Sequence, residues 1–380
     1  MNVRGVADRA VSIARRRSAR RVPGPQDRWL PFEGPPGDRM PRMDDPSADL
    51  VVPSSRSDPA TVLARFLAAA EPSPPVREGV LDLADLRCDT ATFAGVTGGV
   101  LRGRRGRPLN GAGGLLDLSL PGRGGRPRRV LEVDGPVAVL DLRARSAENF
   151  FHLHVDALAN RWLIDRVDIG PPPVRWLLPA GPSAWQAEAI ALAGLTDEVL
   201  LLSSADRVLA PRFLVPVRGL GSRSVPAWTV AALRAVGGPP PDGPGLPRLL
   251  HVSRVDAPRR RMRGEDRLAI DLSDRGFTSI VPSTLTVTEQ RRRFVAADVI
   301  VAAHGAALTS LAWARPGAVV IELLPAARPN LAFRRLAHQA GLRHVGLVCP
   351  PADDGADPHG DAELDVGAAV RLVGEILAGR

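Results

Sequence analysis

The sequence predicts an α/β protein of two doubly wound halves behind a disordered arm. Three observations predict it. Strand-length apolar runs alternate with helical patterns through most of the chain, as parallel sheets with helical crossovers require. A Gly/Pro block, Gly237–Pro247 (GGPPPDGPGLP), interrupts this alternation and reads as an inter-domain linker. Residues 1–75 are rich in Arg, Pro, Asp and Ser and lack a sustained apolar period, which predicts little packed structure. The expected organisation is an Arg/Pro-rich, largely disordered arm (1–75), an N-terminal α/β domain (76–236), the linker (237–247), a C-terminal α/β domain (248–350), and an acidic loop with a final helix (351–380).

At 380 residues the chain is long enough for two cores. Its cysteines, Cys88 and Cys349, match no metal or redox spacing, so no disulfide framework is expected and a reducing compartment is. No window approaches the ~20 apolar residues of a membrane span. The N-terminal arginines lack the apolar segment of a signal peptide. The net charge of +9 comes with no lysine and no tyrosine, a bias toward arginine that weakens the case for nucleic acid. The arm's basic run Ala14–Arg21 reads as solvated, with a cationic helix on anionic lipid as the alternative. A helical patch stands at Ala60–Ala70.

In the first half, Gly79–Leu86, Leu115–Leu120, Val130–Val133 and Val137–Leu142 are short apolar runs between Gly/Arg/Pro turns, as strands are. Ser146–Arg166 predicts a helix capped by Ser146, with Phe151, Val155, Leu158 and Trp162 on its core stripe. Asn149, His152 and Asp156 share a separate face, either as a site or as a simple surface pair. His152 and His154 project too far apart to share a metal ion. Strands at Val174–Leu178, Glu198–Leu202 and Arg212–Val217 flank a helix at Ala184–Ala193.

Past the linker come strand Arg248–Val252, helix Glu265–Arg275, strand Phe277–Val281 and helix Thr288–Ala297. Val299–Ala303 is a buried strand that stops at His304-Gly305, and a helix is expected over Ala306–Ala314. Pro316-Gly317 turns the chain into a strand ending on Glu322. Helix Leu331–Ala340, strand His344–Val348, loop Ala352–Asp361 and helix Leu364–Leu377 complete it. Ligands of open parallel sheets bind at the carboxyl ends of strands. Two such ends carry chemistry here: Ser253-Arg254, followed by Arg259, Arg260, Arg261 and Arg263, and His304 to Ser310 (HGAALTS). Guanidinium forks and strand-to-helix turns both suit phosphate oxygens. Phosphate-loop, dinucleotide and nucleophile-elbow motifs are absent, which argues against kinases, dehydrogenases and α/β-hydrolases.

Four motifs in order carry a resemblance: Asn149, His152 and Asp156; Ser253, Arg254, Ala257, Arg260, Arg261 and Glu265, with Glu289 and Gln290 after them; His304, Gly305, Ala306, Leu308 and Thr309; and Pro316, Gly317 and Glu322. Together, over roughly Asn149 to Val348, they resemble glycosyltransferase family 61. The chain has Gly264, Ala307 and Ser310 where that family tends to have Asn, Gly and Asn. The resemblance implies a GT-B architecture, two Rossmann-like domains facing a cleft, with the donor in the C-terminal domain and the acceptor in the N-terminal one. It implies inverting transfer from a nucleotide sugar to a glycan or lipid-linked acceptor in bacterial capsule or surface polysaccharide synthesis, with no cofactor and no required metal.

On that reading Asp156 is the expected general base, with His152 as its substitute, and Asn149 lies on the acceptor side. Arg254 with Arg260 or Arg261 would neutralise the diphosphate. Ser253, His304, Gly305, Ala306 and Thr309 would line the donor site, Glu322 would accept from hydroxyls, and Glu265 would orient the arginines. The expected partners are the sugar donor, the acceptor and a peripheral contact with anionic membrane, in the cytoplasm and without nucleic acid. The alternatives are a nucleotide-sugar epimerase or hydrolase on the same fold, and a non-catalytic Arg-rich binding protein.

Overall fold

The computed structural model describes residues 28–31, 50–52, 64, 79–84, 86–93, 96–103, 129–140, 148–170, 173–178, 183–195, 199–201, 206–217, 225–226, 228–238, 243–353, 357 and 359–380. The basic run at 14–21, the strand expected at 115–120 and nearly all of the helical patch at 60–70 lie outside these residues. The chain divides into two compact units, Met1–Asp38 with Ser73–Gly237, and Arg39–Pro72 with Gly238–Arg380. Both are α/β.

Strands are numbered along the whole chain. In the first unit a six-stranded sheet runs β1 (Arg28–Pro31), β3 (Gly79–Ala84), β11 (Arg212–Val217), β7 (Pro136–Val139), β8 (Arg175–Leu178), β9 (Val199–Leu201). Its last four strands are parallel, while β3 is antiparallel to both β1 and β11. Val137, Val139, Leu177, Phe213 and Val215 form its core. Asp82 on β3 takes two hydrogen bonds from the Arg212 guanidinium, at 2.9 and 2.6 Å, which pins the antiparallel edge. A smaller sheet joins β5 (Val96–Gly103), β4 (Leu86–Phe93), β10 (Asp206–Leu209) and β6 (Arg129–Glu132). The helices of this unit are α1 (Arg161–Ile164), α2 (Ala184–Leu192) and α3 (Thr229–Ala235).

The second unit holds a six-stranded sheet in the order β14 (Thr278–Ile280), β12 (Leu249–Val252), β15 (Val299–Ala303), β16 (Val319–Pro325), β17 (Arg343–Cys349), β2 (Leu50–Val51). Every pairing is parallel. Its helices are α4 (Glu265–Ser273), α5 (Val287–Ala296), α6 (Ala332–Gln339) and α7 (Val366–Ala378), and a two-stranded ribbon joins β13 (Met262–Arg263) to β18 (Ala362–Glu363). Leu268 and Leu272 of α4 and Val373 and Ile376 of α7 pack on Val299, Val301, Ile321, Leu323, Val345 and Leu347. This covers one face of the sheet with the run of buried apolar strands that parallel pairing demands. Setting the edge strand β2 aside, the order in the chain is second, first, third, fourth, fifth. Such a doubly wound sheet reverses direction between its first and third strands, here β12 and β15, and opens a crevice at their carboxyl ends.

Three expectations need correction. The arm contributes two strands: β1 pairs with β3, and β2 pairs with β17. The helix expected over 306–314 is a 3-10 segment, Ala306–Trp313. There the Thr309 hydroxyl donates to the Ala306 carbonyl at 2.7 Å, a local bond that competes with α-helical pairing. The helix expected across 146–166 is broken into a π turn (His152–Ala157), a 3-10 turn (Leu158–Asn160) and α1. Asn160 is the cause. Its amide donates to the Asp156 carbonyl at 2.6 Å and to the Leu140 carbonyl beyond β7 at 2.9 Å, so a side chain stands in the helical ladder.

Candidate functional site

The crevice of the second unit is built from the ends of β12 and β15. Val252 pairs with Ala302, so Ser253-Arg254 and His304-Gly305 leave the sheet side by side. Arg254 lies against Gly305 so closely that a Cβ there would run into its guanidinium, 3.0 Å from Cζ and 3.3 Å from Cδ. Gly305 has an extended backbone (φ 179) open to any residue, so what a larger residue would meet there is the Arg254 side chain, which would have to shift. The Arg254 Nε is buried with no hydrogen-bond partner among the described residues, and Nη2 makes one long bond, 3.4 Å, to the Arg259 carbonyl. Burial lowers this guanidinium below its ordinary value, against the pull of Glu265 and Asp256. Arg260 is pushed down to about 10, by burial first and then by the charges of Arg254 and Arg328. It holds a left-handed backbone (φ 57), a strained conformation for a residue with a side chain. Cations gathered under partial burial in this way suit an anion.

The residues behind Arg254 hold it in place. Glu265, the first residue of α4, is buried and accepts from the Arg254 backbone N–H at 2.8 Å and from the Ser253 hydroxyl. Burial raises its carboxyl above the usual range, and those hydrogen bonds oppose the rise. Ser253 Oγ also accepts from the Val255 N–H at 3.2 Å. Arg261 Nε donates to the Ala257 carbonyl at 2.9 Å, and its backbone N–H donates to Asp361. Ser253, Arg261 and Glu265 thus shape the loop that carries Arg254. His251, fully buried on β12, has Nδ1 2.8 Å from Ser279 Oγ and Nε2 3.8 Å from Glu265. Burial depresses it to about 4.

Across the crevice floor, Glu322 corrects another expectation. Register places it between Ala302 and Gly346, and alternation turns it away from the face of Ile321 and Leu323. Its relative exposure is 0%. Oε1 accepts from His304 Nδ1 at 2.6 Å and Oε2 from His344 Nε2 at 2.7 Å. Burial alone would raise this carboxyl, yet the two histidine bonds hold it at about 2. With no surface and both oxygens engaged, Glu322 cannot take hydroxyls from a ligand. Thr309 is likewise enclosed, its hydroxyl donated to Ala306. His304 is 5% exposed and meets the Phe333 ring edge-on at 5.2 Å. Ala306 is half-buried at the mouth of the 3-10 segment.

The first unit carries a second constellation on the π turn. His152 Nδ1 donates to Asp156 Oδ2 at 2.6 Å. The His152 side chain is 30% exposed and that of Asp156 0%. Asp156 thus has no surface from which to reach a hydroxyl, whereas His152 has. Asn149 Oδ1 accepts from the N–H groups of Phe151 (3.0 Å) and His152 (3.3 Å), so it caps the turn, while Ser146, the expected cap, lies outside the described residues. Phe151, Val155 and Leu158 are buried as the stripe predicts.

Residues 150–321 match the family model described as Glycosyltransferase 61. The chain carries a glycosyltransferase 61 domain over these residues. It is therefore a glycosyltransferase, with a sugar donor and an acceptor as its substrates. No curated protein matches it.

The family match runs from the π turn through β15 into β16, so it takes in His152, Asp156, Arg254 and His304, while Asn149 and Glu322 lie just outside it. One departure from the family pattern has a physical explanation. Gly264 caps α4 with φ 95, a left-handed position that Asn tolerates better than most residues, so Gly and the family's Asn meet one backbone requirement. Ser310, at another departure, is fully buried with Oγ unpartnered among the described residues. Sequence reasoning missed Arg328, His251 and His344. Strand-end position flags Arg328, and ionisable side chains inside apolar strands flag the two histidines. Among the described residues no three His, Cys, Asp or Glu side chains stand together as a metal site, and no helix is long and apolar enough to cross a membrane.

Proposed function

We propose that this glycosyltransferase moves a sugar with inversion from a nucleoside diphosphate sugar to a glycan or lipid-linked acceptor in bacterial capsule or surface polysaccharide synthesis. Its fold is then GT-B, with the donor in the second unit and the acceptor in the first. The observation that carries the proposal is Arg254: a guanidinium at the switch point of a parallel sheet, half-buried, poorly partnered, and beside Arg260, which Arg328 also neighbours. A diphosphate leaving group gains charge as its bond to the sugar breaks, and fixed cations stabilise that charge without a required metal ion. His152, oriented by Asp156, takes the acceptor proton on Nε2. The acceptor oxygen then bonds to the anomeric carbon as the carbon–oxygen bond to diphosphate breaks, its electron pair leaving with the nucleotide. The reaction belongs in the cytoplasm, with the Arg-rich N-terminal residues against the anionic inner face of the membrane.

A thermal-shift panel of nucleotides and nucleotide sugars tests the reading. A ligand at 100 times its Kd stabilises by about 2.7 kcal/mol. The expected result is a shift with at least one nucleoside diphosphate or its sugar, lost in Arg254→Ala. No response to any of them would sink the proposal.

A further inference from the structure

The crevice has a histidine that the anion chemistry does not use. Glu322 is a fully buried carboxylate bridging His304 at the end of β15 and His344 on β17. A carboxylate accepts hydrogen bonds only, so both nitrogens facing it carry protons. His344 donates through Nε2, while its Nδ1 is buried with no partner among the described residues, which suits an unprotonated ring nitrogen. His304 donates through Nδ1. Its Nε2 makes no hydrogen bond among the described residues, and the side chain keeps 5% of its surface, which leaves that atom available to a ligand. The residue after it, Gly305, is the one pressed against Arg254.

We infer that Glu322 and His344 are positioning residues that hold His304 as the Nδ1–H tautomer, and that His304 offers its Nε2 lone pair to a hydroxyl of the transferred sugar rather than to the diphosphate. The inference rests on the donor-site reading of the same crevice. Its chemistry is a matching of donors to acceptors. A diphosphate presents oxygens and no protons, so the lone pair of a neutral imidazole has nothing to accept from it, whereas a sugar hydroxyl donates. Arginines and this histidine therefore divide the ligand between them, charge to Arg254 and Arg260, hydroxyl to His304. Such an arrangement also discriminates. A site built to bond a particular hydroxyl rejects a ligand lacking it, because the buried polar atom is then left without a partner.

The experiment compares matched pairs of probes on the full chain by titration calorimetry: UDP with UDP-xylose and UDP-N-acetylglucosamine, and GDP with GDP-mannose. For the pair that binds the wild type, His304→Gln is expected to weaken the nucleotide sugar about tenfold more than the bare diphosphate. Arg254→Ala is expected to weaken both alike. An equal loss of both probes in His304→Gln would overturn the inference while leaving the donor site standing. Silence of every probe on the wild type would instead remove the donor-site reading, and this one with it.

A second measurement needs no ligand. Nitrogen-15 spectra of histidine-labelled protein, with His304 assigned by its loss in His304→Gln, should show the neutral Nδ1–H ring. Glu322→Gln can accept from only one histidine through its oxygen and should disturb the pattern; if that variant does not fold, His344→Phe removes the same support. A His304 ring found as the Nε2–H tautomer, or one unmoved by both variants, would refute the positioning role.

Discussion

Gly305 yields the space through which the Arg254 guanidinium passes; a single methyl group there would collide with it. Gly305→Ala should therefore mimic Arg254→Ala in nucleotide binding, with a loss of about tenfold or more, though it removes no charge. The two changes should not add: calorimetry on the double variant is expected to give little more than either single loss, as for groups in contact. Full additivity would mean that Gly305 acts independently of Arg254.

On the π turn, His152→Gln and Asp156→Asn should each lower kcat by about 10²–10⁴-fold, with the double variant close to the singles, because base and orienting carboxylate act as a unit. Kinetics with the donor found in the thermal-shift panel and a glycan acceptor measure this. An Asp156→Asn enzyme within threefold of wild type would detach the carboxylate from catalysis.

His251 and Glu322 destabilise the fold in acid in separate windows. The folded His251, at about 4, refuses a proton that the unfolded chain accepts near 6.5. The unfolded state thus binds more protons between those values, and stability falls as pH drops from about 6.5 to 4, by an amount on the order of 3 kcal/mol. Urea unfolding against pH should show this slope and lose it in His251→Gln.

Glu322 acts lower. Its folded value of about 2 lies beneath the ordinary carboxyl value of 4.5, so its contribution is complete above about 4.5 and drains away as pH falls toward 2. A variant Glu322→Gln should be flatter over this lower window while keeping the slope above it, as circular dichroism at graded pH would register.

Cys349 should be inert. Burial first, and the charge of Asp365 second, push its thiol up to about 12. Iodoacetamide at pH 8 is expected to leave Cys349 unlabelled in the native chain and to label it after denaturation, read by peptide mass.

Much of the second unit was legible in the sequence because its strands are apolar runs closed by Gly, Pro or His, signals that are local. Val299–Ala303 agrees with expectation to the residue, and Thr278–Ile280 nearly so. The break in the stretch 146–166 was not legible, since its cause is the bond of Asn160 to Leu140, a residue on another segment. The same limit applies to the site. Residue types picked out Arg254, His304 and Glu322, but whether a carboxylate meets a ligand or is spent on histidines depends on which strand lies next to it. His344 joined Glu322 through sheet register alone. Asp156 and His152 were found as a pair at helical spacing, while their relative exposure, which sets the roles, comes from packing.

The pairing of Leu50 with Gly346 bears on synthesis. A ribosome adding ~5–20 residues per second makes Leu50 long before its neighbour, so β2 waits roughly 15–60 s for the strand it joins. The sheet that holds Arg254 can close its last edge only when translation is nearly over. The sheet's last edge therefore matures late, and a pause made after Gly237 should delay its completion without delaying the first unit.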